Sequence, residues 1–485
     1  LNFDNPRVRK EIRRVTDFWL QMGVDGLRLD AVPYLFEREG TNCENLPETH
    51  AFLQELRSHV DSHYEGKMLL AEANQWPEDA VAYFGQGNEC HMAFHFPIMP
   101  RIFMALRMED TFPISDMLEQ TPDIPVNCQW AMFLRNHDEL TLEMVSDEER
   151  DYMYKVYARD TRARINVGIR RRLAPLLENN RRKQELMNFL LLSLPGTPVL
   201  YYGDEIGMGD NYFLGDRDGV RTPMQWSPDR NAGFSKANPQ TLYLPLITDP
   251  NFHFQVINVE NQETNPSSLL WWMRRSIAIR RRYKAFSRGH LSLVKSDNPR
   301  VVAFTRTYED QILLIVANLS RFSQVVNMEL RDLQGYVPEE LSSGNTFLQV
   351  SERPYTITIG PHGYFAFQML SSRVPVTISE REPLRSIRTS SSWRGFLSDV
   401  EKEILESDIL PSYIMGSRWF LSKYRKIRRL SISNIVRIPL EGDFIHLCFI
   451  KVQYPLGSSD MFLLPLSFAQ GENEQEIFNL YPEAA

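Results

Sequence analysis

The chain of 485 residues carries a formal net charge of −8, with 43% hydrophobic and 24% charged residues. That balance fits a globular protein with a sizeable core and room for about three domains, and it excludes the basic footprint of a nucleic-acid binder. No run approaches the ~18 apolar residues of a membrane span; the most apolar stretch, 189–194, is followed by Pro195. The opening residues, Leu1-Asn2-Phe3-Asp4, include neither a Met nor a signal-peptide pattern, so the sequence is expected to start inside a domain. Four scattered cysteines (Cys43, Cys90, Cys128, Cys448), without metal-type spacing, read as structural thiols of a reducing cytoplasm.

Residues 1–285 alternate helical and strand patterns, as βα units do. Asn5 is placed to cap a helix with Pro6 at its first position. Val8, Ile12, Val15, Trp19 and Met22 recur on one face until Gly23 stops it. Val24 to Asp30 then reads as a strand, on which period two sets Arg28 and Asp30 opposite Leu27 and Leu29. In a parallel barrel both faces of a strand are buried, so a charged pair near its C-terminal end marks a candidate site. Pro47 opens a second helix carrying Phe52, Leu53, Leu56 and Val60, and a strand from Met68 to Glu72 follows.

Further strands are expected at 91–96, 129–134 and 198–202. These five strand-ending segments predict an α/β fold, a (β/α)8 TIM barrel truncated at its N-terminal side, since closure takes eight strands. Unpaired edges in such a barrel predict an inactive, poorly soluble chain when it is made alone. After Tyr202 a polar excursion runs to about Pro266, too long for a simple connection, and a helix from Ser267 to Tyr283 follows. Residues 286–370 hold short apolar runs between turn residues, the pattern of an antiparallel β-sandwich domain. Residues 371–392, rich in Ser, Arg and Pro, read as a linker, and 393–485 as an incomplete small α+β cap module.

Three acids end predicted strands or follow them closely: Asp30, Glu72 and Asp138. Their spacing fits one and about two βα units, which in a parallel barrel brings all three to one rim. Retaining glycosidic cleavage needs that equipment, a carboxylate nucleophile facing a protonated carboxylic acid. A single strand-end acid is more often a solvated charge, and a single histidine such as His137 more often a core residue. Their neighbours change the balance. Arg28 is placed to hold Asp30 ionised, and Asn136-His137-Asp138 sets donors beside an acid, suited to gripping vicinal hydroxyls.

Here the residues resemble a family. Asp25-Gly26-Leu27-Arg28-Leu29-Asp30-Ala31 resembles the second sequence region of glycoside hydrolase family 13, Leu70-Ala71-Glu72-Ala73 its third, and the run from Phe133 to Glu139 its fourth. The run from Thr197 to Glu205 is similar to the family's last barrel strand. The resemblance implies Asp30 as nucleophile, Glu72 as general acid/base and Asp138 as transition-state stabiliser. Segments 37–45, 72–77 and 89–96 resemble the trehalose synthases within that family, and 215–226 the loop shared by α-glucosidases and trehalose synthases. The implied activity is intramolecular isomerisation of maltose to trehalose by a retaining double displacement.

The same resemblance implies substrate contacts from Arg28, His137, Arg217 and Arg221, and no organic cofactor. It also implies a calcium ion held by carbonyls of Tyr34 and Leu35 and the carboxylate of Glu37, oxygen ligands that suit a hard cation. The run from Ile414 to Lys423 resembles the N-terminal cap of maltokinase and implies a covalently fused kinase. Homo-oligomerisation stays open as a partner class. A hydrolytic α-glucosidase would share every catalytic residue, and a degenerate carbohydrate-binding barrel would be expected to have lost some of them.

Overall fold

In a computed structural model the described residues are 1–371, 399–417, 420, 427–440, 443–454 and 459–467. They fall into two compact units, 1–372 and 373–485. The first helix, α1 (Pro6–Gln21), starts as its sequence demands: the Asn5 side chain accepts the Arg7 amide at 2.9 Å, Pro6 needs no donor partner, and Gly23 leaves at φ 100°. Its burial differs from the expected apolar face. Thr16 and Leu20 are buried, whereas Val15, Phe18, Trp19 and Met22 are exposed. The reason lies next to it, because strand β1 (Gly26–Leu29) is the edge of its sheet.

Helix α2 (Pro47–His63) buries Phe52, Leu53, Leu56 and Val60 as its spacing predicts, and leads into β2 (Met68–Ala71). Strands β3 (Met92–Phe94) and β4 (Gln129–Phe133) follow. Next come β5 (Leu140–Thr141), β6 (Arg164–Ile165) and β7 (Gly168–Ile169), a small antiparallel sheet of their own, and then β8 (Thr197–Val199). β1, β2, β3, β4 and β8 pair in that order, all parallel, the α/β build of a (β/α)8 barrel with five strands among the described residues. Its interior is aromatic at this end. Phe133 meets Phe94 and Phe96 edge-on, with ring centroids 5.5 and 5.3 Å apart.

Ser268 caps the helix Leu269–Arg282 through its side chain, close to the expected bounds. The next domain is antiparallel. Its strands are β9 (His290–Leu293), β10 (Val301–Tyr308), β11 (Gln311–Asn318), β12 (Gln324–Met328), β13 (Tyr336–Glu340), β14 (Tyr355–Ile359) and β15 (Tyr364–Ser371). One sheet runs β13-β15-β11-β10-β9 and the other pairs β12 with β14, with a core of Val316, Val326, Ile357 and Phe367 between them. Along β14, buried Tyr355, Ile357 and Ile359 alternate with exposed Thr356 and Thr358, the period-two signature of a sheet wet on one face. Buried Arg306 of β10 donates to the Ser193 carbonyl at 2.8 Å and ties this domain to the helix Arg181–Ser193.

The second unit is described by itself. It holds the helices Asp399–Ile404 and Leu410–Gly416 and an antiparallel sheet of β16 (Arg429–Leu440), β17 (Asp443–Gln453) and β18 (Asp460–Leu466). Ile414 and Phe420 share a core with Ile432, Cys448 and Ile450. The expected linker lies outside the described residues apart from Ser371, which ends β15. Of the kinase-cap-like run 414–423, residues 418, 419 and 421–423 also lie outside them. Among the described residues no helix is long and apolar enough to cross a membrane, and all four cysteines are unpaired.

Candidate active site

Strand register builds the first half of the site. Leu29 of β1 faces Ala71 of β2, so the residues that follow, Asp30 and Glu72, emerge side by side where the strands end. The Glu72 amide donates to the Leu29 carbonyl at 3.0 Å and fixes that step. Arg28, two residues before Asp30 and on its face, spans both acids: its Nη1 donates to Asp30 Oδ1 at 2.8 Å and its Nη2 pairs with Glu72 Oε1. One guanidinium thus clamps two carboxylates. Asp30, on the edge strand, has 75% of its side chain exposed, whereas Glu72, one strand further in, has 19%.

The unequal environments split the pair. A hydrogen bond with the Glu72 carboxyl, followed by Arg28, holds Asp30 below the usual aspartate value. Burial, followed by the same bond to Asp30, lifts Glu72 above the usual glutamate value, against the opposing pull of Arg28. At a pH between the two, one carboxylate is ionised and the other protonated, the division of labour between nucleophile and acid.

The second half comes from β4 and the long excursion after β8. Past Phe133 the chain turns, and the Asn136 side chain accepts the Asp138 amide at 3.0 Å. Asp138 Oδ1 receives Arg217 Nη1 and Arg221 Nη2, each at 2.9 Å, and Oδ2 lies 3.3 Å from His137 Nε2. Arg221 Nε also donates to the His137 carbonyl at 2.8 Å. The predicted contacts His137, Arg217 and Arg221 therefore gather around the predicted stabiliser. His137 also lies within electrostatic range of Asp30, which joins the two halves.

The excursion that delivers the two arginines is pinned along its length. Tyr201 and Tyr202 donate their hydroxyls to the carbonyls of Val220 and Thr222, at 2.8 and 2.6 Å. Arg170 Nη1 reaches the carbonyls of Leu214 and Asp216 at 2.9 and 2.6 Å. Between the arginines sits Gly219, where a Cβ would lie 2.2 Å from the Asn211 carbonyl oxygen. Only glycine permits that approach.

The residues expected to hold calcium lie in the segment after β1. Tyr34 turns its hydroxyl to Glu44 Oε1 at 2.9 Å, and the Glu37 carbonyl accepts Arg38 Nη1 at 2.8 Å. Two carbonyls and a carboxylate suit calcium in kind but fall short of the six to eight oxygens it takes. Among the described residues no group of three or more His, Cys, Asp or Glu is arranged to hold a metal.

Sequence reasoning missed the contacts that lock the rim. Gln75 Nε2 donates to Glu44 Oε2 at 3.3 Å, so Glu44 bridges the segments after β1 and β2, and Asn74 bonds Glu143. Arg135, fully buried, gives Nη2 to the Asp138 carbonyl at 2.6 Å. A charged residue directly after the apolar run of β4 was the available signal.

Comparison with known proteins identifies the family. The family described as Alpha amylase, catalytic domain, matches residues 1–289, and Maltogenic Amylase, C-terminal domain, matches 291–366. The chain is 58% identical over 382 residues to a trehalose synthase/amylase of Mycolicibacterium smegmatis, covering 76% of this chain and 64% of the relative. It is 54% identical over 371 residues to a trehalose synthase of Thermus thermophilus, covering 76% and 38%. The chain thus spans less than two thirds of the length of either relative. The crystal structure of an α-amylase from H. orenii shares the fold at a TM-score of 0.57 and 21% identity, covering 76% of this chain and 66% of that one. With its three carboxylates gathered on one rim of a parallel βα sheet, the chain belongs to the α-amylase family, glycoside hydrolase family 13.

Proposed function

We propose that the chain carries the catalytic rim of a maltose–trehalose isomerase working by retaining double displacement. The observation that carries the chemistry is the pair bridged by Arg28, in which Asp30 is held below its usual value while burial lifts Glu72 above its own. Asp30 attacks the anomeric carbon of maltose while Glu72 gives its proton to the departing glucose oxygen. Asp138, held by Arg217 and Arg221, presents a fixed anion to the oxocarbenium-like transition state. The released glucose turns, its anomeric hydroxyl loses a proton to Glu72 and attacks the glucosyl-enzyme, which frees Asp30. Isomerisation rather than hydrolysis is supported by the trehalose synthases among the relatives and by the Glu44 bridge between rim loops, which favours exclusion of water.

Three ionised or ionisable carboxylates with their partners argue against a degenerate binding barrel. Calcium remains part of the proposal only as an ion that Tyr34, Leu35 and Glu37 would help to hold, where it would stiffen the loop after β1. A cytoplasmic location is supported by the unpaired cysteines. A fused kinase and a homo-oligomer also belong to the proposal, and no described contact bears on either.

The deciding experiment supplies maltose with isotopically labelled free glucose and follows label into trehalose by mass spectrometry. A closed site predicts trehalose with little label, because the second nucleophile is already held at high effective molarity. Label in proportion to free glucose would mean open transglycosylation, and glucose without trehalose would mean an α-glucosidase.

A further inference from the structure

Two like charges converge on one oxygen of Asp138. Arg217 Nη1 and Arg221 Nη2 both donate to Oδ1 at 2.9 Å, so the guanidiniums that grip the anion also repel each other. Both also meet Asp216, a residue with no part in the mechanism above. Asp216 Oδ1 accepts Arg217 Nε at 3.1 Å, and Oδ2 lies 4.0 Å from Arg221 Nη1. Each arginine is thus shared between two aspartates, two positive charges against two negative ones. A third acid, Glu139, has Oε2 at 3.7 Å from Arg217 Nη1, beyond hydrogen-bond reach, and its Oε1 accepts Asn166 Nδ2 at 2.8 Å.

The backbone holds Asp216 in place for these contacts. Its φ is 42°, in the left-handed region that is unfavourable for residues other than glycine and is best tolerated by Asp and Asn. Gly215, directly before it, does not use that region, so the bend falls on the residue that carries the carboxylate. Arg170 secures the bend: its Nη1 donates to the Leu214 and Asp216 carbonyls at 2.9 and 2.6 Å, and its Nε to the Arg162 carbonyl at 2.8 Å. Backbone strain of this kind persists where the surroundings over-determine it, as they do here. A guanidinium is a planar fork, so Asp216 on Nε and Asp138 on Nη1 together fix the plane of Arg217.

We infer that Asp216 is a positioning residue for the reaction: its carboxylate offsets the repulsion between Arg217 and Arg221 and fixes the Arg217 guanidinium, so that both arginines stay on Asp138 Oδ1. The inference rests on the proposed role of Asp138 as the transition-state anion, but not on whether the product is trehalose or glucose. The Asp216 side chain is 53% exposed, and solvent keeps the expected effect modest.

The test uses the full chain and release of 4-nitrophenol from 4-nitrophenyl α-glucoside, which reports the first displacement whether the enzyme isomerises or hydrolyses. Asp216→Asn keeps the shape and the tolerance for the bend while removing the charge. It should lower kcat about three- to tenfold with KM within about twofold. In an Arg217→Ala background the same substitution should change kcat by less than about twofold, because the group through which Asp216 acts is gone. Asp216→Gly, which also relieves the bend, should match the Asn variant in kcat with a thermal midpoint level with or above the wild type, and it carries the test if the Asn variant does not fold. A wild-type kcat in the Asp216 variants, or an equal loss with and without Arg217, overturns the inference. Should the wild type show no turnover, the functional reading fails by itself, and crystal structures of the wild type and Asp216→Asn decide the positioning. Arg217 withdrawn from Asp138 Oδ1 in the variant supports it, and the bond kept at its wild-type length overturns it.

Discussion

The backbone amide of Ala31 donates to Glu72 Oε2 at 3.3 Å, just past the paired ends of β1 and β2. The residue after Asp30 thus touches Glu72, in the left-handed region at φ 46°, ψ 43°. That conformation costs a non-glycine residue about 1 kcal/mol. Ala31→Gly should therefore leave the thermal midpoint level or slightly higher, while the β-branched Ala31→Val should lower stability by about 1 kcal/mol or more. Thermal unfolding of the two variants beside the wild type is the check.

Asp30→Asn should abolish turnover by at least about a thousandfold on every substrate, since no covalent intermediate forms. Single-turnover analysis with an activated glucosyl fluoride measures this directly. Residual activity above that level would point to another nucleophile.

Glu72 should set the alkaline side of the pH profile. Its value is raised, so its proton is present at low pH and lost as pH climbs past the ordinary glutamate range, and activity on maltose should fall with it. Asp30 is held below its ordinary value, so protonation should disarm it only at pH below the ordinary aspartate range. Glu72→Gln should spare the fluoride far more than maltose and should flatten the alkaline limb with that substrate. Equal losses on both would remove Glu72 from the acid role.

Arg217→Ala and Arg221→Ala each take one charge-assisted hydrogen bond from Asp138. Each should reduce kcat/KM about 10- to 100-fold, the worth of such a bond. The remaining arginine still holds Oδ1, so the double variant should lose more than the sum of the two single effects. Steady-state kinetics on the four proteins of this cycle tests the prediction.

Much of the fold could be read along the chain, because buried strands and capped helices write their signals locally. Asn5, Pro6 and Gly23 bounded α1, and the apolar runs before Asp30 and Glu72 lay within about two residues of β1 and β2. The placement of the candidate site was legible for the same reason, since Arg28 and Asp30 sit on one strand face and parallel register carries Glu72 alongside. What stayed hidden depends on distant partners. Arg135 and Asp204 look like surface charges until β4 and β8 are adjacent, and the exposed flank of α1 follows from the place of β1 at an edge. The two-residue strands β5, β6 and β7 are too short to leave a period.

Gly219 has a consequence for anyone redesigning this rim. The arginines that dress Asp138 lie two residues to either side of it, and any side chain at 219 would collide with the Asn211 carbonyl oxygen. The same close approach of the two segments is held shut by the Asn211 amide, which donates to the Gly219 carbonyl at 3.0 Å. A mutational library across 211–222 should therefore divide sharply, with tolerance at outward positions such as Phe213 and none at 219. Selectivity toward new sugars would then have to evolve around this fixed pivot, by exchanging what flanks it.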